Sequence, residues 1–424
     1  MTDRNLAERA IKARAGMVEA LRAAGAVSDP VVLEAMSKVP REVFVPRFWS
    51  LPPALKTGGP ADVRQWHVGD GDGALGLVYD IDRALAIRRQ GTAGGPTAGG
   101  GVTSTASAPR IVASMLELLE LSKGMRVLEI GAGSGYNAAL LRELVGPTGS
   151  VVSVDIDGDL VAEASRRLQA HSYSDVEVVA ADGYFGHFQR APFDRVVATV
   201  GCVDVAPAWL DQLAPGGFCL IPLQHGGMHP LTRIEPSGGQ ITGAVVGRAG
   251  FVAIQGYQAG RSPWPRAGRL GPGPAAEWGA LPDRLADELA PEAGRQAIGG
   301  RRMWDLAYFL ALEDRRAAFL LSLAEEDSSA NVDAAEGRIG WTGPAGPVLR
   351  DELLVTAERW IAIGRPGVAD YTSVFVPLGA ESGSRPAEDD QQQQPPVQRW
   401  SIDRVDYRQI VRAYPRPGAL SSSP

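Results

Sequence analysis

Cysteine and histidine are scarce in this 424-residue chain: two cysteines, Cys202 and Cys219, and five histidines. Two thiols cannot build a disulfide scaffold. Both are therefore expected as small core residues, and with the histidines scattered no metal site is expected. An excess of positive charge is also missing. The net charge of −7 and a pI near 5.4 argue against a nucleic-acid partner held by bulk electrostatics. No uninterrupted apolar run is long enough to span a bilayer, and Met1-Thr2-Asp3-Arg4-Asn5 carries charge with no apolar signal core. The expectation from these absences is a soluble cytoplasmic protein with no membrane partner. The length exceeds what one hydrophobic core usually holds, so two domains are expected.

What is present is concentrated in Val127-Leu128-Glu129-Ile130-Gly131-Ala132-Gly133-Ser134-Gly135-Tyr136, an apolar run ending in an acid and opening into three alternating glycines. Such a run followed by the helical pattern from Ala138 to Leu144 is a strand, loop and helix, and the glycines let the backbone turn tightly and approach a ligand. A dinucleotide fingerprint would be spaced G-x-G-x-x-G, with a pyrophosphate on the helix N-terminus. Here the spacing is G-x-G-x-G. Glu129 would repel a pyrophosphate and attract a cation such as the ammonium of S-adenosylmethionine. A second strand, Ser150 to Asp155, ends in a carboxylate placed to hold a ribose diol, and a third, Val176 to Ala181, runs into Asp182-Gly183. Three successive acidic strand ends fit a nucleoside bound along the carboxyl edge of a sheet. The plainer alternative is a Rossmann-like unit with surface acids.

Periodicity supplies the rest of the organisation. Residues 5 to 24 have apolar positions at helical spacing, and a second helix starts after Ser28-Asp29-Pro30, with Asp29 as N-cap and Pro30 in the first turn. Val39 to Pro46 is expected to be extended because of its prolines. Residues 88 to 102, rich in Gly, Thr and Ala, predict a loop and a candidate lid before the helix that begins around Ser107-Ala108-Pro109. A fourth strand at Phe193 to Val200, a helix at Trp209 to Leu213 and a strand at Phe218 to Pro222 continue an alternation that implies a parallel sheet covered on both faces. Gly239 to Gly247 and Phe251 to Gln255 are expected as edge strands.

The expected division is residues 1–257, a Gly/Pro-rich linker at 258–284 and a smaller α+β domain at 285–424. That domain holds helices at Met303 to Leu321 and Leu349 to Ile363. Its strand Tyr371 to Pro377 is expected to pair with Val397 to Ile402 across a Ser/Gln/Pro-rich loop at 380–396.

Residues 10 to 257 resemble the protein-L-isoaspartate (D-aspartate) O-methyltransferase family. The resemblance is carried by Val39-Pro40-Arg41-Glu42-Val43-Phe44-Val45-Pro46, Tyr79-x-x-Asp82-x-Ala84-Leu85, Thr105-Ala106-Ser107-Ala108-Pro109, Leu128 to Tyr136, Asp182-Gly183, Ala191-Pro192-Phe193-Asp194, and Gln212-Leu213 before Gly216-Gly217. It implies a Rossmann-like class I methyltransferase fold, an α/β domain with a mostly parallel doubly wound sheet, and S-adenosyl-L-methionine as cofactor. By the same resemblance Ser107 and Thr105 are the catalytic candidates. Glu129, Ile130, Gly131, Ala132, Gly133, Ser134, Gly135, Asp155, Ile156, Asp182 and Gly183 would hold the cofactor, and Ser107, Ala108 and Val252 would meet the substrate. The plainer role for Ser107 is that of a helix N-cap.

Repair enzymes of the family usually end near Phe251 to Ile254, whereas this chain continues. The longer architecture resembles members that methylate an aspartate in ribosomally made, often crosslinked, precursor peptides. The resemblance thus implies a peptide or protein acceptor bearing an aspartyl or isoaspartyl carboxylate, esterified and then closed to a succinimide. Alternatives are repair of isoaspartyl residues in damaged proteins and a non-catalytic peptide-binding scaffold. A carboxylate is already ionised near neutrality, so its methylation needs no general base. A serine can then serve where a histidine would otherwise be sought.

Overall fold

The computed structural model describes residues 3–50, 64–89, 101–264, 275, 277–290, 301–318, 321–379 and 398–413. The chain forms two compact units. One comprises Met1–Gly201, Ala206–Pro222 and Phe251–Tyr257; the other comprises Cys202–Val205, Leu223–Gly250 and Gln258–Pro424.

The first unit opens with α1 (Asp3–Ala23) and α2 (Pro30–Lys38). Asp29 caps α2, its carboxylate accepting the Val31 N–H at 2.7 Å, with Pro30 in the first turn. The segment expected to be extended contains a helical turn instead, α3 (Arg41–Phe44). Its cap is Pro40, and a proline there removes no intrahelical bond. Next come β1 (Arg47–Ser50), β2 (Gln65–His67), α4 (Asp72–Val78), β3 (Leu85–Arg89) and β4 (Val102–Ala106). These strands form an antiparallel sheet in the order β2-β1-β3-β4, which periodicity did not anticipate. Arg88 and Arg89 end β3 and Val102 starts β4, so the expected loop is shorter than 88–102; its residues 90–100 lie outside the described residues.

After α5 (Pro109–Leu118) the expected alternation follows: β5 (Arg126–Ile130), α6 (Tyr136–Val145), β6 (Ser150–Asp155), α7 (Gly158–Ala170), β7 (Glu177–Ala180), β8 (Phe193–Ala198), α8 (Pro207–Asp211) and β9 (Leu213–Pro222). These strands are parallel in the order β9-β8-β5-β6-β7. Val127, Leu128, Val152, Val196 and Val197 are buried, the continuous apolar pattern of strands covered on both faces. The strand order reverses at β5, with β6 to one side and β8 to the other. The crevice at their carboxyl ends is where such sheets take ligands. Phe251 to Gln255 is not a full strand. It makes one parallel bridge, Gly201 to Ala253, flanked by hydrogen bonds from Gly201 N to Val252 O (2.8 Å) and from Ile254 N to Gly201 O (3.0 Å).

The second unit is α+β. β10 (His229–Ser237) and β11 (Gln240–Ala249) form a hairpin through Gly238 and Gly239, with φ of 56° and 78°, as the favoured two-residue hairpin turn requires. β12 (Glu277–Ala280), α9 (Asp283–Leu289), α10 (Arg301–Glu313), β13 (Ser322–Glu325), β14 (Ser328–Asp333), β15 (Arg338–Thr342), α11 (Gly346–Ala362), β16 (Tyr371–Pro377), β17 (Gln398–Asp403) and β18 (Tyr407–Ala413) follow. Within this unit the strands run in two antiparallel series, β17-β18-β16-β11-β10 and β12-β15-β14-β13. β16 does not pair with β17 as expected, because β18 lies between them. Tyr407, Gln409 and Val411, alternate residues of β18, are all buried. With β11 on its other side, β16 is paired along both edges. The stretch expected as a linker is also more than that: Trp264 and Leu281 are buried in the same apolar cluster as Phe309 and Trp360. Residues 265–274, 319–320 and 380–396 lie outside the described residues.

A polar clamp ties this unit together. Asp204 is fully buried; its carboxylate accepts N–H bonds from Val205 (2.8 Å), Asp406 (2.7 Å) and Tyr407 (3.1 Å). Arg404, also buried, donates to the carbonyls of Val203 (2.6 Å) and Gln224 (3.1 Å) and twice to Gln409 Oε1. Burial pushes the Asp204 carboxyl up to about 6, against the opposing pull of the Arg404 charge and the N–H donors.

Candidate active site

The glycine loop is held from two sides. Gly131, at φ 102°, donates its N–H to Val154 O of β6 at 2.7 Å, and its carbonyl accepts from Thr199 Oγ1, just beyond β8, at 2.6 Å. A Cβ at Gly131 would lie 2.6 Å from that same hydroxyl oxygen, so contact and backbone angle both demand glycine. Asp155, at the end of β6, accepts the Gly133 N–H at 2.9 Å and the Asp157 N–H at 3.0 Å. The loop thus lies over the carboxyl ends of β5 and β6 with its amides tied to the sheet.

Two acids face this crevice without a cation. Glu129 is fully buried; Asn137 Nδ2 donates to one oxygen at 2.8 Å and Ser153 Oγ to the other at 2.5 Å. Burial pushes its carboxyl up to about 7, against those two hydrogen bonds. Burial also raises Asp155, opposed by the Asp157 and Gly133 amides. Among the described residues no arginine, lysine or histidine forms an ion pair with either acid. A buried carboxylate held only by neutral donors is poorly compensated, and a cationic ligand would supply what the protein does not.

Ser107 sits in the link between β4 and α5, half-buried on the wall of the same cleft. The plainer capping role is not the one it has. α5 starts at Pro109, so Ala108 occupies the cap position and no side chain caps the helix. Proline in the first turn has no N–H to be capped. Among the described residues no hydrogen-bond partner holds the Ser107 hydroxyl. Its carbonyl accepts from Arg41 Nη2 at 2.8 Å.

The cleft brings together Thr105, Ser107, Glu129, Ile130, Gly131, Ala132, Gly133, Ser134, Asp155, Ile156, Gly183 and Val252. Three expected residues do not line it. Gly135 packs against α7, where a Cβ would meet Ala164 at 3.2 Å. Asp182 accepts the N–H groups of Tyr184 (3.0 Å) and Tyr257 (2.7 Å), fixing the turn at Gly183. Ala108 is the helix cap. Sequence reasoning assigned no role to Arg41, Asn137, Asp157 or Thr199, all of which line the cleft. Arg41 stands inside a motif already singled out, but nothing in a linear pattern says that its side chain turns inward.

The geometry fits S-adenosylmethionine, since unneutralised acids and a glycine-lined crevice suit a cationic nucleoside. Comparison with known proteins decides the family. The sequence profile of protein-L-isoaspartate(D-aspartate) O-methyltransferase matches residues 96–259. The protein-L-isoaspartate O-methyltransferase of Methanothrix thermoacetophila is 36% identical over 242 residues, which is 55% of this chain and 95% of the relative. The chain belongs to this family. A second relative of the same name, from Methanopyrus kandleri, is 35% identical over 254 residues, 59% of this chain and 95% of the relative. A solved protein-L-isoaspartate O-methyltransferase structure aligns at 24% identity with a TM-score of 0.48, covering 85% of this chain and 96% of that one. As a family member the chain is a carboxyl O-methyltransferase dependent on S-adenosyl-L-methionine. Among the described residues no cluster of His, Cys, Asp or Glu could hold a metal ion, and no helix is long and apolar enough to cross a membrane.

Proposed function

We propose that the chain methylates the free α-carboxylate of isoaspartyl residues in proteins or peptides, with Ser107 and Thr105 beside the acceptor. The glycine loop, Glu129 and Asp155 surround the donor in this reading. The observation that carries it is the Ser107 hydroxyl, free of helix capping, on the cleft that also holds two unneutralised acids. Support for the acceptor comes from relatives bearing that activity in their names and aligned over 95% of their own length.

When bound, S-adenosylmethionine supplies an electrophilic methyl group on a sulfonium. The residues of the chain need not remove a proton, because the acceptor is already a carboxylate. Water opposes the reaction by solvating both the anion and the cation that neutralise each other, and the apolar wall of Ile130, Ala132 and Val252 keeps it from the reacting oxygen. The Ser107 hydroxyl donates a hydrogen bond to the carboxylate oxygen that does not attack, leaving the other aligned with the methyl. In the ester product the nitrogen of the following residue can attack the newly formed ester carbonyl. Methanol leaves and a succinimide ring closes.

A second reading is favoured by one feature. The family profile ends at residue 259, whereas the second unit has an apolar core of its own around Phe309, Leu349 and Trp360. That unit fits an enzyme whose acceptor is an aspartate in a ribosomally made precursor peptide, crosslinked or not, recognised beyond the residue modified. Mass spectrometry of the full chain with S-adenosylmethionine and matched aspartyl and isoaspartyl peptides separates the two. A gain of about 14 Da followed by loss of methanol on the isoaspartyl peptide alone supports repair. The same gain confined to an aspartate of a longer precursor supports the second reading, and no gain on any peptide overturns both.

A further inference from the structure

Arg41 is a buried cation, 1% exposed, and among the described residues no acidic side chain pairs with it. Leaving a guanidinium in the interior without a counter-charge is costly, so the groups it reaches instead are informative. They are backbone carbonyls. Nε donates to Val78 O at 2.9 Å, in the last turn of α4, where a cation is favoured by the helix dipole. Nη2 donates to Ser107 O at 2.8 Å and Ala106 O at 3.3 Å. The guanidinium carbon also lies 5.0 Å from the ring centroid of Tyr136, the first residue of α6 directly after the glycine loop. One planar group therefore joins the link that carries Ser107 to the helix that follows the donor loop.

We propose that Arg41 is a positioning residue for methyl transfer: by holding the Ala106 and Ser107 carbonyls while its guanidinium contacts the Tyr136 ring, it sets where the Ser107 hydroxyl stands relative to the donor. The inference rests on the assignment of Ser107 above. A displacement along one line is sensitive to such placement, since a shift of about 1 Å can cost on the order of 10²-fold in rate. Lysine is not an equivalent, because a compact ammonium lacks the planar fork that here reaches carbonyls of two segments. A direct role in holding the acceptor anion would have the opposite kinetic signature. The reaction removes the acceptor's charge, so a cation stabilising that charge would lower KM without raising kcat.

The test uses the full chain with Arg41→Lys and Arg41→Ala, an isoaspartyl peptide as acceptor, calorimetry for cofactor affinity and circular dichroism to count folded enzyme. Expected for Arg41→Lys is a fall in kcat per folded enzyme of about 10²-fold, with acceptor KM and cofactor affinity little changed. Guanidinium ion added to Arg41→Ala should restore part of the lost turnover. In a Ser107→Ala background Arg41→Lys should cost little more, since the two losses act through one hydroxyl. An acceptor KM that rises at unchanged kcat, or wild-type turnover per folded Arg41→Lys enzyme, overturns the proposal. If Ser107→Ala alone keeps full turnover, the assignment of Ser107 fails. An Arg41→Lys loss that persists in full in that background overturns Arg41's action through Ser107, even where Ser107→Ala is itself impaired.

Discussion

Glu129 in the first unit and Asp204 in the second are both fully buried carboxylates pushed up by burial, to about 7 and about 6. Their surroundings differ. Asp204 receives three backbone N–H bonds and feels the charge of buried Arg404, whose own donors end on two carbonyls and a glutamine oxygen. Glu129 receives two neutral side chains and no cation. The first arrangement is closed, every strong group answered from within the chain. The other is open, and it faces a cleft. Burial of an acid is thus no guide to function until its compensation is counted.

The comparison can be broken experimentally. Asp204→Ala should cost the second unit about 3–5 kcal/mol, because it strips a buried cation of its opposing charge and leaves three amides unanswered. Chemical denaturation followed through tryptophan fluorescence reads this loss, and a variant as stable as the parent would show the clamp to be incidental. Ser107→Ala should lower turnover by about 10²-fold, the scale for removing one hydrogen bond made to a reacting group. Cofactor affinity measured by calorimetry should hardly move.

Glu129→Gln should weaken S-adenosylmethionine binding about tenfold, the equivalent of one pKa unit of interaction. The pH dependence sharpens the point. A carboxyl raised in the fold contributes stability that is complete below its unfolded value of about 4.3, and that contribution is lost as pH rises through its folded value. For Glu129 the window closes at about 7. A cationic ligand favours the ionised form, so affinity should fall as pH drops below about 7 in the parent and stay flat in Glu129→Gln. At pH 8 without cofactor the variant should be no less stable than the parent. A flat parental profile would mean that Glu129 is not the group that meets the ligand's charge.

The alternation that places the crevice was legible because parallel strands buried on both faces leave near-continuous apolar runs such as Val151 to Val154, interrupted only by Ser153. Their acidic ends stand out against those runs. The glycine loop was legible because few ligands tolerate that spacing after an acid. What stayed hidden depends on tertiary partners. The sheet of β1 to β4 is built from short strands with weak alternation, and no local signal distinguishes Arg408 to Ala413 of β18 as the neighbour of β16. Asp182 accepts amides of which one, that of Tyr257, comes from far along the chain. Asn137 and Ser153 have no motif of their own, yet they are what Glu129 touches.

Pro109 has a consequence beyond its own backbone angle. An imide at the head of α5 presents no hydrogen to recruit an oxygen from upstream, and the alanine before it has none to offer. The chemistry available at position 107 is therefore governed by its two successors: they release the hydroxyl from a local errand. An amide at 109 would reintroduce a competitor for it, so the identity of a residue that touches no reactant helps decide whether the serine is reagent or scaffold.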